Sequence, residues 1–181
     1  MNLKKYIVFL RGINVGGNHK LPMSDLKNEL LDMGYTNVQT LLNSGNVILE
    51  SNEKGKDLIE SEISKRLEDE FGFPVPTIVR TEEEIKSLHE SDPFANIELT
   101  KDIRQYVSFQ KVVNKSDLVI PWQSDDSSFQ ILSDEDGIIV SVLDLSKTGT
   151  PNAMKIVEEK YGKNITTRNW KTISRIIKKL A

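Results

Sequence analysis

Apolar and polar residues follow strand-like and helix-like patterns in turn along the first part of this chain. Residues 6–10, Tyr-Ile-Val-Phe-Leu, form the short apolar run of a strand. After a glycine-rich segment, apolar residues recur at helical spacing up to Gly34, at Met23, Leu26, Leu30 and Met33. The pattern therefore predicts a strand, a loop and a helix in succession.

A hairpin, a second helix and another strand complete the first half. Residues 38–42 and 47–50 read as strands on either side of Asn43-Ser44-Gly45-Asn46, whose residues accept the positive φ of a tight turn. Apolar residues then recur every four positions, at Ile59, Ile63, Leu67 and Phe71, and residues 75–80 resume an extended pattern. The order βαββαβ is that of a ferredoxin-like unit.

The second half repeats much of this order. Thr81-Glu82-Glu83-Glu84 matches a capping box and predicts a connecting helix that ends before Asp92-Pro93. Further along, the pattern predicts a strand at 106–113, a short helical piece at 116–122, a hairpin from 129–132 and 138–145, and a helix from Pro151 to Gly162. A last helix, capped by Thr167, carries an apolar stripe of Trp170, Ile173, Ile177 and Leu180.

These elements predict an α+β fold of two ferredoxin-like sandwich halves that arose by internal duplication. The first half is βαββαβ, and the second is a degenerate βαββα with an added C-terminal helix. We expect the first lobe at residues 1–80, a connecting helix and loop at 81–103, and the second lobe at 104–181.

Composition removes several classes of chemistry. The chain has no cysteine and two histidines, so thiol nucleophiles, disulfides and multi-histidine metal centres are excluded, and we expect neither a metal nor a cofactor. No apolar stretch approaches the roughly 20 residues of a membrane span, and the start runs into a strand pattern instead of a signal peptide. We expect a cytoplasmic protein without a membrane partner.

Charge is unevenly distributed along the chain. Residues 146–181 hold nine Lys or Arg against two Glu, a net charge of +7, so residues 1–145 carry −10 of the overall −3. Within the basic region, four cations spaced 3, 4 and 3 residues apart form one helix face, at Arg168, Lys171, Arg175 and Lys178. This face is either an RNA- or DNA-binding surface or an ordinary solvated helix face.

The glycine-rich segment between the first strand and helix is the main candidate site. Backbone N–H groups of Gly12, Gly16 and Gly17 can converge on an anion, and Arg11 and Asn14 can add side-chain donors. The glycine spacing matches neither the dinucleotide fingerprint nor the P-loop, and a turn alone also requires such glycines. His19 and Ser44 are the conspicuous catalytic candidates, but neither has a general base beside it in sequence, so enzymatic activity stays open.

Three motifs resemble the DUF1697 family, an uncharacterised bacterial family. They are residues 9–17 (Phe-Leu-Arg-Gly-Ile-Asn-Val-Gly-Gly), Ser44-Gly45-Asn46-Val47 and Thr167-Arg168-Asn169-Trp170. Thr166 and Lys171 depart from the family, which usually has Ala and Asn there. The resemblance implies a compact α/β protein with ferredoxin-like halves and no assigned reaction. It singles out the polar residues Arg11, Asn14, Ser44, Asn46, Arg80, Arg168 and Asn169.

The leading hypothesis is a small binding protein for an anionic ligand: a nucleotide, a phosphate ester or a nucleic-acid segment. Its expected pocket is formed by the loop from Arg11 to Gly17 with Ser44, Asn46, Arg80, Arg168 and Asn169. One alternative is a hydrolase or transferase that uses the same polar cluster. The other is an RNA- or DNA-binding protein that uses the basic C-terminal helix. The oligomeric state stays open.

Overall fold

The computed structural model describes residues 2–52 and 55–181. In this part of the chain the fold is α+β, with five helices and two antiparallel sheets. The contacts divide the chain into two compact units. The first is Met1–Ser87 together with Ile176–Ala181, and the second is Leu88–Arg175.

The first unit is built on a four-stranded sheet. Its strand order is β2-β3-β1-β4, and each neighbouring pair is antiparallel. The elements in chain order are β1 (Leu3–Leu10), α1 (Met23–Asp32), β2 (Thr36–Leu41), β3 (Asn46–Asn52), α2 (Lys56–Phe71), β4 (Thr77–Thr81) and α3 (Glu82–Glu90). The helices and strands predicted for this half are all present.

The core of the first unit explains its sequence pattern. Tyr6, Val8 and Leu10 of β1 pack in one cluster with the buried leucines and isoleucines of α1 and α2. Ile7 and Phe9 point to the other face of the sheet and are also fully buried. Both faces of β1 are therefore covered, which is why this strand reads as a continuous apolar run instead of alternating.

The second unit holds a five-stranded antiparallel sheet in the order β6-β7-β8-β5-β9. Its elements are β5 (Ile103–Gln110), β6 (Trp122–Gln123), β7 (Phe129–Glu135), β8 (Ile138–Asp144), α4 (Thr150–Tyr161) and β9 (Ile165–Asn169). The final helix, α5 (Trp170–Leu180), begins directly where β9 ends.

Two predictions for the second half are wrong. Residues 116–122 form no helix, and this segment is irregular up to the short strand β6, which pairs with β7. The strand β9 was not expected, and Thr167 lies inside it instead of capping the last helix. The β-branched run of Ile165, Thr166 and Thr167 favours a strand, and pairing with β5 satisfies its backbone groups.

The predicted capping box is confirmed at the start of α3. The Thr81 hydroxyl accepts a hydrogen bond from the Glu84 N–H at 3.1 Å, and the Glu84 carboxylate accepts one from the Thr81 N–H at 2.7 Å. Two backbone donors that the helix itself leaves without partners are thereby satisfied.

Loss of this cap should be measurable. We expect Thr81→Ala to lower the free energy of unfolding by about 1 kcal/mol, because the Glu84 N–H loses its acceptor. Thr81→Ser keeps a hydroxyl and should stay close to the wild type. Urea denaturation of the three proteins checks this, and equal midpoints for Ala and Ser would show that the cap contributes nothing.

No helix within residues 2–52 and 55–181 is both long and apolar enough to cross a membrane.

Candidate functional site

The glycine-rich loop folds into a short hairpin of its own. The Asn14 N–H donates to the His19 carbonyl at 3.0 Å, and the Asn18 N–H donates to the Val15 carbonyl at 3.1 Å. Gly16 and Gly17 form the two-residue turn between these bonds, with φ values of 59° and 76°. Positive φ at both central positions is typical of a type I′ hairpin turn, so the turn alone accounts for the two glycines.

Asn14 anchors this hairpin and uses its whole side-chain amide to do so. Its Nδ2 donates to the carbonyls of Leu21 and Asn43 at 2.9 and 2.8 Å, and its Oδ1 accepts from the Leu21 N–H at 2.8 Å. Both amide hydrogens are already donated within the protein, so Asn14 acts as a structural tie and not as a donor to a ligand.

The Ser44-Gly45-Asn46 turn lies directly against the loop, as the binding hypothesis requires. The Leu10 N–H donates to the Gly45 carbonyl at 2.8 Å. Asn46 is fully buried, and its Nδ2 donates to the Leu41 carbonyl at 2.9 Å and to the Ser44 hydroxyl at 3.1 Å. The structure thus brings Asn14, Ser44 and Asn46 together, but it employs both amides in packing the two turns.

Arg11 and His19 also belong to the loop region, and each is held by a contact outside the hairpin. Arg11 follows β1, is partly buried, and donates its N–H to the Pro76 carbonyl at 2.9 Å. The imidazole of His19 stacks on Phe73 with a centroid distance of 4.5 Å, and its Nδ1 lies 3.1 Å from the Gly12 carbonyl. Because a carbonyl only accepts, Nδ1 is the protonated nitrogen when this bond forms.

Arg80 and Arg168, both singled out by the family resemblance, are buried in strands. Arg80 lies in β4 and donates from Nη1 to the Val79 carbonyl at 2.9 Å. Burial lowers its pKa, against the opposing effect of Glu84 and Glu60. Arg168 lies in β9 and donates to the Thr166 hydroxyl at 2.7 Å, and burial lowers its pKa to about 10. Both guanidinium groups are therefore built into their sheets.

The predicted basic helix face is thereby corrected. Arg168 belongs to β9 and is 8% exposed, so it cannot lie on a helix face with the other three cations. Lys171, Arg175 and Lys178 are exposed on α5.

The residues predicted for a single pocket fall in both units. Arg11, Gly12, Asn14, Gly16, Gly17, Ser44, Asn46 and Arg80 belong to the first unit, and Arg168 and Asn169 belong to the second. Among the described residues, no group of three or more His, Asp or Glu side chains is arranged to hold a metal ion.

The second unit contains a cavity of about 440 Å³ with a strongly cationic lining. We call it the basic cavity and define it by five of its lining residues, Lys101, Arg104, Asn169, Trp170 and Lys171. The remaining lining residues are apolar or neutral, and no carboxylate is among them. A second cavity of about 290 Å³ is lined by charges of both signs, Glu98, Asp144 and Lys147.

Pairing between β5 and β9 assembles the basic cavity from distant parts of the chain. Lys101 lies just before β5 and Arg104 near its start, while Asn169 ends β9 and is paired with Tyr106 of β5. Because these neighbouring strands are antiparallel, the start of one lies beside the end of the other. Trp170 and Lys171 then enter the site as the first residues of α5.

Backbone carbonyls hold Arg104 in place. Its Nη1 donates to the carbonyl of Lys101 at 2.7 Å and to that of Ile103 at 3.1 Å. Among the described residues, Lys101, Arg104 and Lys171 form no ion pair with a carboxylate. The cavity lining therefore contains three cationic residues that form no ion pair with a carboxylate of the described part of the protein.

Asn169 and Trp170 are fixed by their own contacts. The Asn169 Oδ1 accepts the Lys171 N–H at 2.9 Å and so caps α5. Trp170 stacks on His89 with a centroid distance of 5.5 Å and meets the edge of Phe94 at 5.2 Å. These contacts preorganise the cavity wall in the absence of a ligand.

The family model for DUF1697, a protein of unknown function, matches residues 3–129. This chain belongs to the DUF1697 family. A solved structure similar to this DUF1697 protein is that of a conserved bacterial protein from Streptococcus pneumoniae. It is 23% identical, with a TM-score of 0.62, and 97% of each chain is covered. A likeness at this identity shows the fold alone. A comparison with curated proteins finds no match.

Proposed function

We propose that this DUF1697 protein binds a small anionic ligand in the basic cavity. The observation that carries the proposal is the grouping of Lys101, Arg104 and Lys171 in one concave site without a carboxylate in its lining. Like charges held close together repel one another, and an anion that enters the site removes this repulsion while gaining charge-assisted hydrogen bonds.

The corresponding place in the first unit supports this proposal by contrast. Thr81 ends β4 opposite Tyr6, just as Asn169 ends β9 opposite Tyr106, and each residue caps the helix that follows. In the first unit that helix begins with three glutamates, and Glu82 pairs with Lys86 at 2.7 Å and with Lys5 at 3.8 Å. In the first unit, glutamate side chains of the protein itself therefore provide the negative charge at the start of this helix.

No acidic residue replaces those glutamates in the second unit. The first turn of α5 contains none, and Trp170 and Lys171 follow the cap directly. A lysine at a helix N-terminus is electrostatically unfavourable by itself, because the helix dipole is positive there. An external anion in the cavity compensates both the lysine and the helix end.

We further propose that the two units are degenerate ferredoxin-like copies. Their sheets share the order β2-β3-β1-β4 and β7-β8-β5-β9, with β6 added at one edge. The first strand of each unit ends in equivalent backbone hydrogen bonds. The N–H of the last strand residue donates to a glycine carbonyl at 2.8 Å, from Leu10 to Gly45 in one unit and from Gln110 to Gly137 in the other. The next N–H donates to a carbonyl at 2.9 Å, from Arg11 to Pro76 and from Lys111 to Asn164. The irregular segment 111–121 takes the place of the first helix in the second copy.

The two alternative functions receive less support from the geometry. No histidine, aspartate or glutamate lines the basic cavity, so it lacks the side chains that most often act as the general base of a hydrolase or transferase. Binding of RNA or DNA stays a prediction, because Lys171, Arg175 and Lys178 are exposed on α5. However, the second unit as a whole has 11 Lys or Arg against 13 Asp or Glu, a net charge of −2, whereas nucleic-acid-binding domains are usually basic.

A ligand at the loop from Arg11 to Gly17 also stays a prediction. The hairpin explains Gly16 and Gly17, and the tie to Leu21 and Asn43 explains Asn14, so Arg11 is the loop residue whose substitution tests this hypothesis. Loss of ligand stabilisation in Arg11→Ala would place the site at the loop.

The proposal is tested by a thermal-shift screen of phosphorylated and carboxylated metabolites, followed by calorimetry on the compounds that stabilise the protein. We expect Lys171→Gln to weaken binding about tenfold or more, because one charge-assisted contact is worth about 1.5–3 kcal/mol. Lys178→Gln is the matched control, since it removes an exposed lysine of the same helix from outside the cavity lining.

Three outcomes count against the basic cavity. If no anion stabilises the wild type, the protein is not an anion-binding protein. If both lysine variants weaken binding equally, the whole helix face is responsible. If Arg11→Ala alone abolishes binding, the loop hypothesis is correct.

A further inference from the structure

We propose that the ligand of the basic cavity is a phosphate monoester of a small organic molecule and that Arg104 determines this specificity. The inference rests on the proposed function and deepens it by naming the chemical class. Its basis is the geometry of Arg104, the number of cations and the size of the cavity.

The hydrogen bonds of Arg104 leave one side of its guanidinium for a ligand. Nη1 carries two hydrogens, and it donates to two backbone carbonyls, those of Lys101 and Ile103. The Nε and Nη2 hydrogens form the opposite edge of the planar group, and they have no partner among the described residues. An arginine edge of this kind binds two oxygens of an oxyanion in parallel, and here the backbone orients it in advance.

The charge of the site favours a dianion. Lys101 and Lys171 add two ammonium groups to the guanidinium, and Asn169 adds an amide whose oxygen is engaged by the Lys171 N–H. A phosphate monoester carries about −1.5 to −2 at pH 7 and offers three acceptor oxygens, whereas a carboxylate carries a single charge on two oxygens. Three cations on separate elements suit a tetrahedral group better than a planar one.

The size and the remaining lining favour an organic phosphate over the free ion. The volume of about 440 Å³ lies within the range of roughly 300–1,000 Å³ that is usual for organic ligands. Leu99, Ile103 and Trp170 supply apolar surface, and Thr100 and Gln105 supply neutral polar groups. This part of the cavity is suited to hold the uncharged portion of the ligand.

The experiment compares four probes that share one ring: phenyl phosphate, methyl phenyl phosphate, benzoate and phenol. Binding is followed by the fluorescence of Trp170 in a Trp122→Phe background, which leaves a single tryptophan, and by calorimetry on the wild type. We expect phenyl phosphate to bind at least tenfold more tightly than the diester or the carboxylate, and phenol not to bind. The affinity for phenyl phosphate should fall below about pH 6, where the monoester gains a proton.

Two arginine variants test the role assigned to Arg104. Arg104→Lys retains the charge but loses the planar edge, so we expect it to bind phenyl phosphate about tenfold more weakly, with an unchanged melting temperature. Arg175→Lys, which alters an exposed arginine of α5 outside the cavity lining, should bind as the wild type does.

The results separate the two proposals. Benzoate or the diester binding as tightly as phenyl phosphate would overturn the inference while leaving anion binding intact. An unchanged affinity in Arg104→Lys would overturn the role of Arg104. Failure of every anionic probe and of inorganic phosphate would overturn the proposed function itself. Tight binding of a single-stranded oligonucleotide that Arg175→Gln weakens would replace the monoester by a nucleic acid.

Discussion

Gly45→Ala is expected to destabilise the protein by about 2–5 kcal/mol, through backbone strain and overlap together. Gly45 has a φ of +81°, and a Cβ at this position would lie 2.8 Å from both the Leu10 Cβ and the Ile13 Cδ1. Those neighbours are buried and belong to the core of the first unit, so they have little room to move. Urea denaturation measures the loss as a lower midpoint.

Gly16→Ala is the matched control for this effect. Gly16 also has a positive φ, +59°, but a Cβ there would meet nothing within 4 Å. Only the backbone strain remains, and we expect a loss of about 1 kcal/mol. Equal losses in the two variants would contradict the close packing of the Ser44-Gly45-Asn46 turn on the loop.

Asn169→Asp should leave stability intact while abolishing most of the anion binding. Aspartate caps a helix about as well as asparagine, and a negative charge is favourable at the start of α5. The same charge would stand in the basic cavity and repel an anion. Two charges 4 Å apart at an effective dielectric constant of 20 interact by about 4 kcal/mol, so we expect a loss of affinity of at least tenfold.

Calorimetry with phenyl phosphate and a thermal melt measure the two effects on the same samples. Asn164→Asp is the control, because it introduces the same charge at an exposed residue before β9, outside the cavity lining. If Asn169→Asp binds phenyl phosphate as tightly as Asn164→Asp does, the cavity is not the site.

Local signals in the sequence were sufficient for much of the fold. The apolar spacing of α1 and α2 and the Thr81 capping box predicted elements that the structure contains. The prediction of a helix at 116–122 was wrong, and the strand at 165–169 was missed. A threonine before a helical pattern reads as a cap, and only pairing with β5 made residues 165–169 a strand, with Asn169 as the cap.

The glycine loop shows why the candidate site was harder to predict than the fold. A run of glycines, an arginine and an amide is consistent with an anion site and equally with a tight turn, because both need positive φ. The hydrogen bonds from the Asn14 side chain to the Leu21 and Asn43 carbonyls show that its amide stabilises the folded loop. Asn43 is far from Asn14 in sequence, so no local pattern could predict this contact.

The sequence by itself determined the α+β class, the family and the absence of thiol chemistry, since composition, periodicity and motifs are properties of neighbouring residues. The tertiary structure decided which cationic residues lie together in the basic cavity. Lys101 and Arg104 are far in sequence from Asn169, Trp170 and Lys171. Asn169 and Lys171 were among the predicted binding residues, but no sequence signal pointed to Lys101 or Arg104. The five residues meet because β5 and β9 pair in antiparallel register, and strand pairing over such distances depends on the whole sheet and not on the local sequence.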